Sequence, residues 1–214
     1  MSAVRPEFGP TLPELLRPRL ARLSRPARVV LVVLAVLVVA AVGSRVVGGG
    51  GDVRTVAVSE PIGFRFEYAP PLHRRHPQAG ELARVGGHGQ SFAVRPLRLP
   101  PYRGDAAGFL PLYATHLSRE MAARLPGFRV HQEGRANINR IQGYELRFSY
   151  DGPDGHPMLG RRELLLPTAT AREGVDLLLV ARRAKHRKGP GRVGASGPMK
   201  RALRSFELEG ADQS

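Results

Sequence analysis

The densest charge in the chain is a run of cations at Arg182, Arg183, Lys185, His186, Arg187, Lys188 and Arg192. Its chemistry would be contact with an anionic partner; a solvated loop is the plainer reading, and both stand here. Residues 189–196 (GPGRVGAS) have two glycines at the spacing of a phosphate loop. Ala195 occupies the position of the lysine that must reach the phosphates, so a basic hairpin loop is expected rather than a nucleotide site. His73 and His76 (HRRH) have the form of a metal pair, but Arg74 and Arg75 repel a cation and no third ligand follows nearby. His88, His116, His131 and His156 are scattered, and neither GxSxG nor HExxH occurs. The expectation is therefore no enzyme, with no catalytic, cofactor-binding or metal-ligating residues and no cofactor. The alternative is a hydrolase whose histidines and acids meet a serine only in the folded chain.

The elements that carry these residues begin with an uncharged run, residues 29–44 (VVLVVLAVLVVAAVGS), flanked by Arg28 and Arg45. Val46 and Val47 extend it, and both arginines can snorkel, so residues 29–47 approach the roughly 20 needed to cross a bilayer core. Backbone groups in lipid must satisfy one another, which makes this segment a transmembrane helix despite its valines. Residues 1–28 hold Pro6, Pro13, Pro18 and Pro26, which forbid a long helix and predict a disordered basic tail. Arg17, Arg19, Arg22, Arg25 and Arg28 precede the run, whereas only Arg45 and Arg54 follow closely. That bias places the N-terminus in the cytoplasm and the following domain outside the cell membrane. A cleaved signal peptide ending at Ala41-Val42-Gly43 is the other reading; the 28-residue leader and the length of the run favour an uncleaved signal anchor.

Residues 48–53 form a Gly-rich linker, residues 54–209 one extracytoplasmic domain, and residues 210–214 a disordered tail. With no cysteine, that domain has neither disulfides nor thiolate ligands and is held by packing alone. Residues 54–58 and 64–68 alternate as short strands, residues 69–90 predict an irregular connection, and residues 91–97 return to strand, with Pro96 placing its end at an edge. Asp105 is a candidate N-cap for a helix reaching Leu125, which Pro111 would make regular only from near Gly108. Strands are predicted at residues 128–138 and 141–150, and the turn cluster 151–155 folds the second onto residues 158–166. Residues 175–181 (VDLLLVA) suit a sheet centre, and Pro198 opens a last helix at residues 199–205. Phe64, Phe66, Tyr68, Tyr144, Phe148 and Tyr150 alternate on strands and are expected in the core. The fold class is α+β, an antiparallel sheet packed by one long and one C-terminal helix.

GFRFEYAPPL, SFAVRPL, the helix with Tyr113, Ala114 and Leu117, IQGYELRFSY with Gly143, GRRELLLP, GVDLLLVARRA and the closing LRSFELE with Phe206 together resemble the Mog1/PsbP-like sandwich of LpqN-like exported actinobacterial proteins. That resemblance covers residues 54–209. It implies binding and accessory assembly rather than catalysis, carries no common catalytic set, and differs here in a transmembrane anchor where lipoprotein members have a lipidated cysteine.

A net charge of +15 adds attraction to anionic surfaces. The expectation is a single-pass membrane protein with an extracytoplasmic binding or accessory domain. Its partners would be anionic lipid, a cell-envelope polymer or another envelope protein. Nucleic acid is disfavoured by export and by a chain with no Trp and 6% aromatics. A cleaved, secreted binding protein differs only at the anchor.

Overall fold

Period-two alternation of apolar residues drives most of the chain after the linker into strands. A computed structural model describes residues 52–184 and 189–211. The tail, the transmembrane run with Arg28 and Arg45, most of the Gly-rich linker, residues 185–188 and residues 212–214 lie outside the described residues. Among the described residues, no helix is long and apolar enough to cross a membrane.

The chain runs β1 (Arg54–Val58), β2 (Phe64–Tyr68), β3 (His73–Arg75), β4 (Ala83–Gly87), β5 (Gln90–Arg98) and α1 (Ala106–Arg124). It continues through β6 (Arg129–Ile138), β7 (Ile141–Asp151), β8 (Pro157–Leu165), β9 (Glu173–Arg182), a 3-10 turn at Pro190–Arg192, α2 (Met199–Arg204) and β10 (Glu207–Leu208). Seven strands form one sheet in the order β3-β4-β5-β9-β8-β7-β6, and β1-β2-β10 form a second, all paired antiparallel. The VDLLLVA strand is at the centre of the large sheet, and the 151–155 turn joins β7 to β8.

Two cores flank the large sheet. On one face Val175, Leu177 and Leu179 of β9 meet the small sheet and α2, and Phe64, Phe66, Phe92 and Phe206 cluster there. The Phe66 and Phe92 rings are 4.8 Å apart, and those of Phe64 and Phe206 5.8 Å. Each such ring removed from water is worth roughly 1.5–3 kcal/mol before entropy is counted. On the other face Leu110, Ala114 and Leu117 of α1 pack on Leu97, Leu164 and Leu166.

Four expectations change. Residues 69–90 are not wholly irregular: they contain β3 and β4, closed onto β5 by the two-residue turn His88–Gly89, both at positive φ as a type I′ hairpin requires. The long helix begins at Ala106, where Asp105 accepts from the Ala107 amide, and it keeps Pro111 inside. Pro96 is within β5, but β4 pairs only as far as Val94, so Pro96 faces a local edge. Residues 189–196 are no hairpin: the 3-10 turn and buried Val193 and Gly194 lie against the small-sheet side of the large sheet, beside Leu179 and Arg161.

Candidate functional site

Alternation along β9 sends Val175, Leu177 and Leu179 into the first core and Asp176, Leu178 and Val180 to the α1 side. α1 covers only part of that side. Beyond its C-terminal turns the sheet is left open as a trough, made of adjoining cavities of about 540 Å³ and 720 Å³ that share Gln78, Arg84, Ser91, Met158 and Val180. Leu178, Val180, Met158 and Phe148 supply apolar lining, with Leu117, Met121 and Leu125 from the helix side. Gly160 shapes this lining: a Cβ there would lie 2.1 Å from the Phe148 ring, so only glycine lets the ring lie down on β8.

Arginines supply most of the charge, with Glu120 of α1 the one acidic residue lining the smaller cavity. Arg84, Arg95, Arg124 and Arg162 line the smaller cavity, and Arg75 and Arg182 the larger. Glu81, whose side chain is fully buried, holds two of them. It accepts from Arg84 Nε at 2.7 Å and Nη2 at 2.8 Å, from Arg95 Nη2 at 3.2 Å, and from the Gln78 amide at 3.0 Å. Burial pushes the Glu81 carboxyl up, but the hydrogen bonds from Arg84, Gln78 and Arg95 outweigh it and hold the group down at about 2. Arg162 is bound by both Asp176 oxygens and reaches Met121 Sδ at 3.5 Å, which ties the helix to the sheet. Arg182 pairs with Asp154 at the far end. Burial raises the Tyr150 phenol above its usual value while nearby Arg84 opposes the rise.

The larger cavity also gathers Ser91, His76, His88 and Asp154. No hydrogen bond links these four; Asp154 is taken by Arg182 and, at 3.4 Å, by the His156 amide. The His–Ser contact that does occur, His131 Nε2 to Ser149 Oγ at 2.8 Å, is exposed and away from both cavities. Among the described residues no group of three His, Cys, Asp or Glu is placed to hold a metal ion. His73 is exposed on β3, whereas His76 lines the larger cavity.

The contiguous basic run divides. Arg182 lies in the trough, Arg183 is exposed just after β9, and Arg192 is exposed in the 3-10 turn over the opposite side of the sheet. Lys185, Arg187 and Lys188 lie outside the described residues. The six trough arginines are separated in sequence from Arg75 to Arg182 and formed no visible cluster there. Their partners left a faint signal: Asp176 interrupts an otherwise apolar strand, and a charge in such a place demands a buried counter-ion.

No family model matches the sequence, and no curated protein does. Solved structures do. LpqN of Mycobacterium tuberculosis, described as involved in cell envelope biogenesis, superposes at a TM-score of 0.50 with 11% identity, over 74% of this chain and 92% of that one. Cyanobacterial PsbP of Synechocystis sp. PCC 6803 gives 0.46 with 10% identity, over 73% and 92%. The fold is Mog1/PsbP-like and LpqN-like. In this LpqN-like domain the trough lies between the C-terminal end of α1 and the β3–β4 corner of the large sheet.

Proposed function

We propose that the chain is a single-pass, membrane-anchored protein whose LpqN-like domain stands outside the cell membrane and binds an anionic partner without transforming it. The observation that carries the binding reading is the pair Arg84 and Arg95 held on one sealed carboxylate at a cavity of mixed polar and apolar lining. Two cations on one anion leave a net positive charge at a fixed place, and ligand sites of this size combine apolar lining with a few placed polar groups. The anchor and its orientation are supported by the uncharged run and by the excess of arginine before it. LpqN, whose fold the domain shares, is involved in cell envelope biogenesis, and a place at the envelope is in keeping with the anchor.

A reporter active only outside the cytoplasm, fused after Ser214, tests the placement. Activity there, with full-length mass in the membrane fraction, is the expected result. A full-length fusion in the membrane fraction with no reporter activity overturns the topology, and a product in the medium beginning near Ser44 replaces the anchor with a cleaved signal peptide.

The second reading, an exported hydrolase, is favoured by Ser91, His76, His88 and Asp154 facing one cavity. Ester or phosphoester turnover that disappears in Ser91→Ala would establish it.

A further inference from the structure

Resting on the binding reading above, we propose that the trough takes a small amphipathic anion: a phosphate or carboxylate on Arg84 and Arg95, and an apolar body laid on Met158, Leu178 and Val180. Three features lead there. First, the arginine pair is preset. Glu81 occupies Arg84 Nε and Nη2 and Arg95 Nη2, and among the described residues Arg84 Nη1 and Arg95 Nη1 have no hydrogen-bonding partner. Donors fixed at a buried carboxylate and left open on their other side suit an oxyanion, which guanidinium groups grip with paired charge-assisted hydrogen bonds.

Second, the charge does not cancel at that point. Glu81 is ionised across the physiological range and balances one arginine of the two. Arg162, by contrast, is matched by Asp176 and serves to fasten α1. The anion therefore belongs at the Glu81 clamp rather than at Arg162.

Third, the wall next to the clamp is apolar and aromatic. Met158, Leu178 and Val180 are half-buried and line the same 540 Å³ cavity as Arg84 and Arg95, beside the buried Phe148 ring. An inorganic ion would leave that wall wet, whereas an anion carrying a ring or short chain covers it.

The test uses the purified full-length chain in neutral detergent with 1-naphthyl phosphate as probe. The chain has no Trp, so naphthalene emission is read without interference. Binding by fluorescence anisotropy is expected to be at least tenfold tighter than that of inorganic phosphate or 1-naphthol, each measured by competition. Arg95→Gln should weaken it at least tenfold, and Glu81 keeps both Arg84 contacts in this variant. Ser91→Phe, which fills the junction of the two cavities and leaves the clamp intact, should weaken it comparably.

Equal affinity for inorganic phosphate, or unchanged binding in both variants, overturns the inference. So does no binding at all, which leaves the topology untouched. Release of 1-naphthol at a catalytic rate overturns the non-catalytic reading instead. A phospholipid headgroup presents the same chemistry. Phosphatidylglycerol added to the micelles competes with the probe if lipid is the source, and fails to compete if the ligand is a free organic anion.

Discussion

Glu163 is fully buried on the small-sheet side of β8, between Arg161 and a second glutamate, Glu145. Burial pushes its carboxyl up to about 8; the Arg161 charge opposes the rise and Glu145 adds to it. One oxygen, Oε2, has no hydrogen-bonding partner. From its ordinary 4.5 up to about 8 the native state keeps a proton that the unfolded chain releases, so stability falls as pH rises through that window. Glu81 has the opposite sign: its pKa is depressed, so its contribution is present above 4.5 and is lost as pH falls toward 2. Replacing Glu163 by Gln removes the first slope. Urea midpoints of the full chain should fall between pH 5 and pH 8.5 in the parent and stay nearly level in Glu163→Gln. The gain at pH 8.5 is on the order of 2–4 kcal/mol at about 1.36 kcal/mol per unit. An equal slope in both proteins would show that Glu163 is already ionised at neutral pH. Nothing in GRRELLLP marks which charge is buried: Arg161 and Glu163 share one face of β8 and Arg162 takes the other, and only the layers on each side decide what each must pair with.

At the scale of elements, strong periodicity was legible and short pieces were not. α1, β6, β7, β8 and β9 lie where cap, alternation and turn residues predicted them. β3 is a three-residue edge strand of exposed polar residues and β4 is ARVGG; both are ordered by pairing along the sheet rather than by their own pattern. That is why one wall of the trough could not be foreseen. The aromatic alternation was a true core signal at Phe148, which is fully buried beside the trough, and less so at Tyr150, which is half-buried and lines it. Gly160 makes this testable. In Gly160→Ala the new methyl overlaps the Phe148 ring, which must move off β8 toward the cavity, at a cost of about 1–3 kcal/mol. The expected outcome is a lower melting midpoint together with weaker 1-naphthyl phosphate binding. Loss of stability with binding unchanged would mean that the ring retreats elsewhere and does not form the trough's lining.

For the whole molecule, the question is how a net charge of +15 is deployed. Much of the described charge is locally matched: Arg65 with Glu207, Arg98 with Glu173, Arg201 with Glu67, and the buried pairs under both faces of the large sheet. Surface pairs of this kind are worth at most about 1 kcal/mol each, so they say more about where attraction is cancelled than about stability. Two groupings are compared as contacts for a polyanion: the trough arginines on one side of the sheet, and Arg192 with the adjoining basic residues Arg187 and Lys188 of the sequence. Because attraction to a polyanion scales with the number of cations engaged, the two make different predictions for retention on a polyphosphate resin. If the basic run is the docking surface, neutralising Arg187, Lys188 and Arg192 to Gln lowers the eluting salt concentration clearly, while Arg95→Gln barely changes it. We expect that order, because a chain of phosphates follows cations contiguous in sequence more easily than it threads a bounded cavity. The reverse order would make the trough the principal anionic contact and leave the basic run a solvated loop.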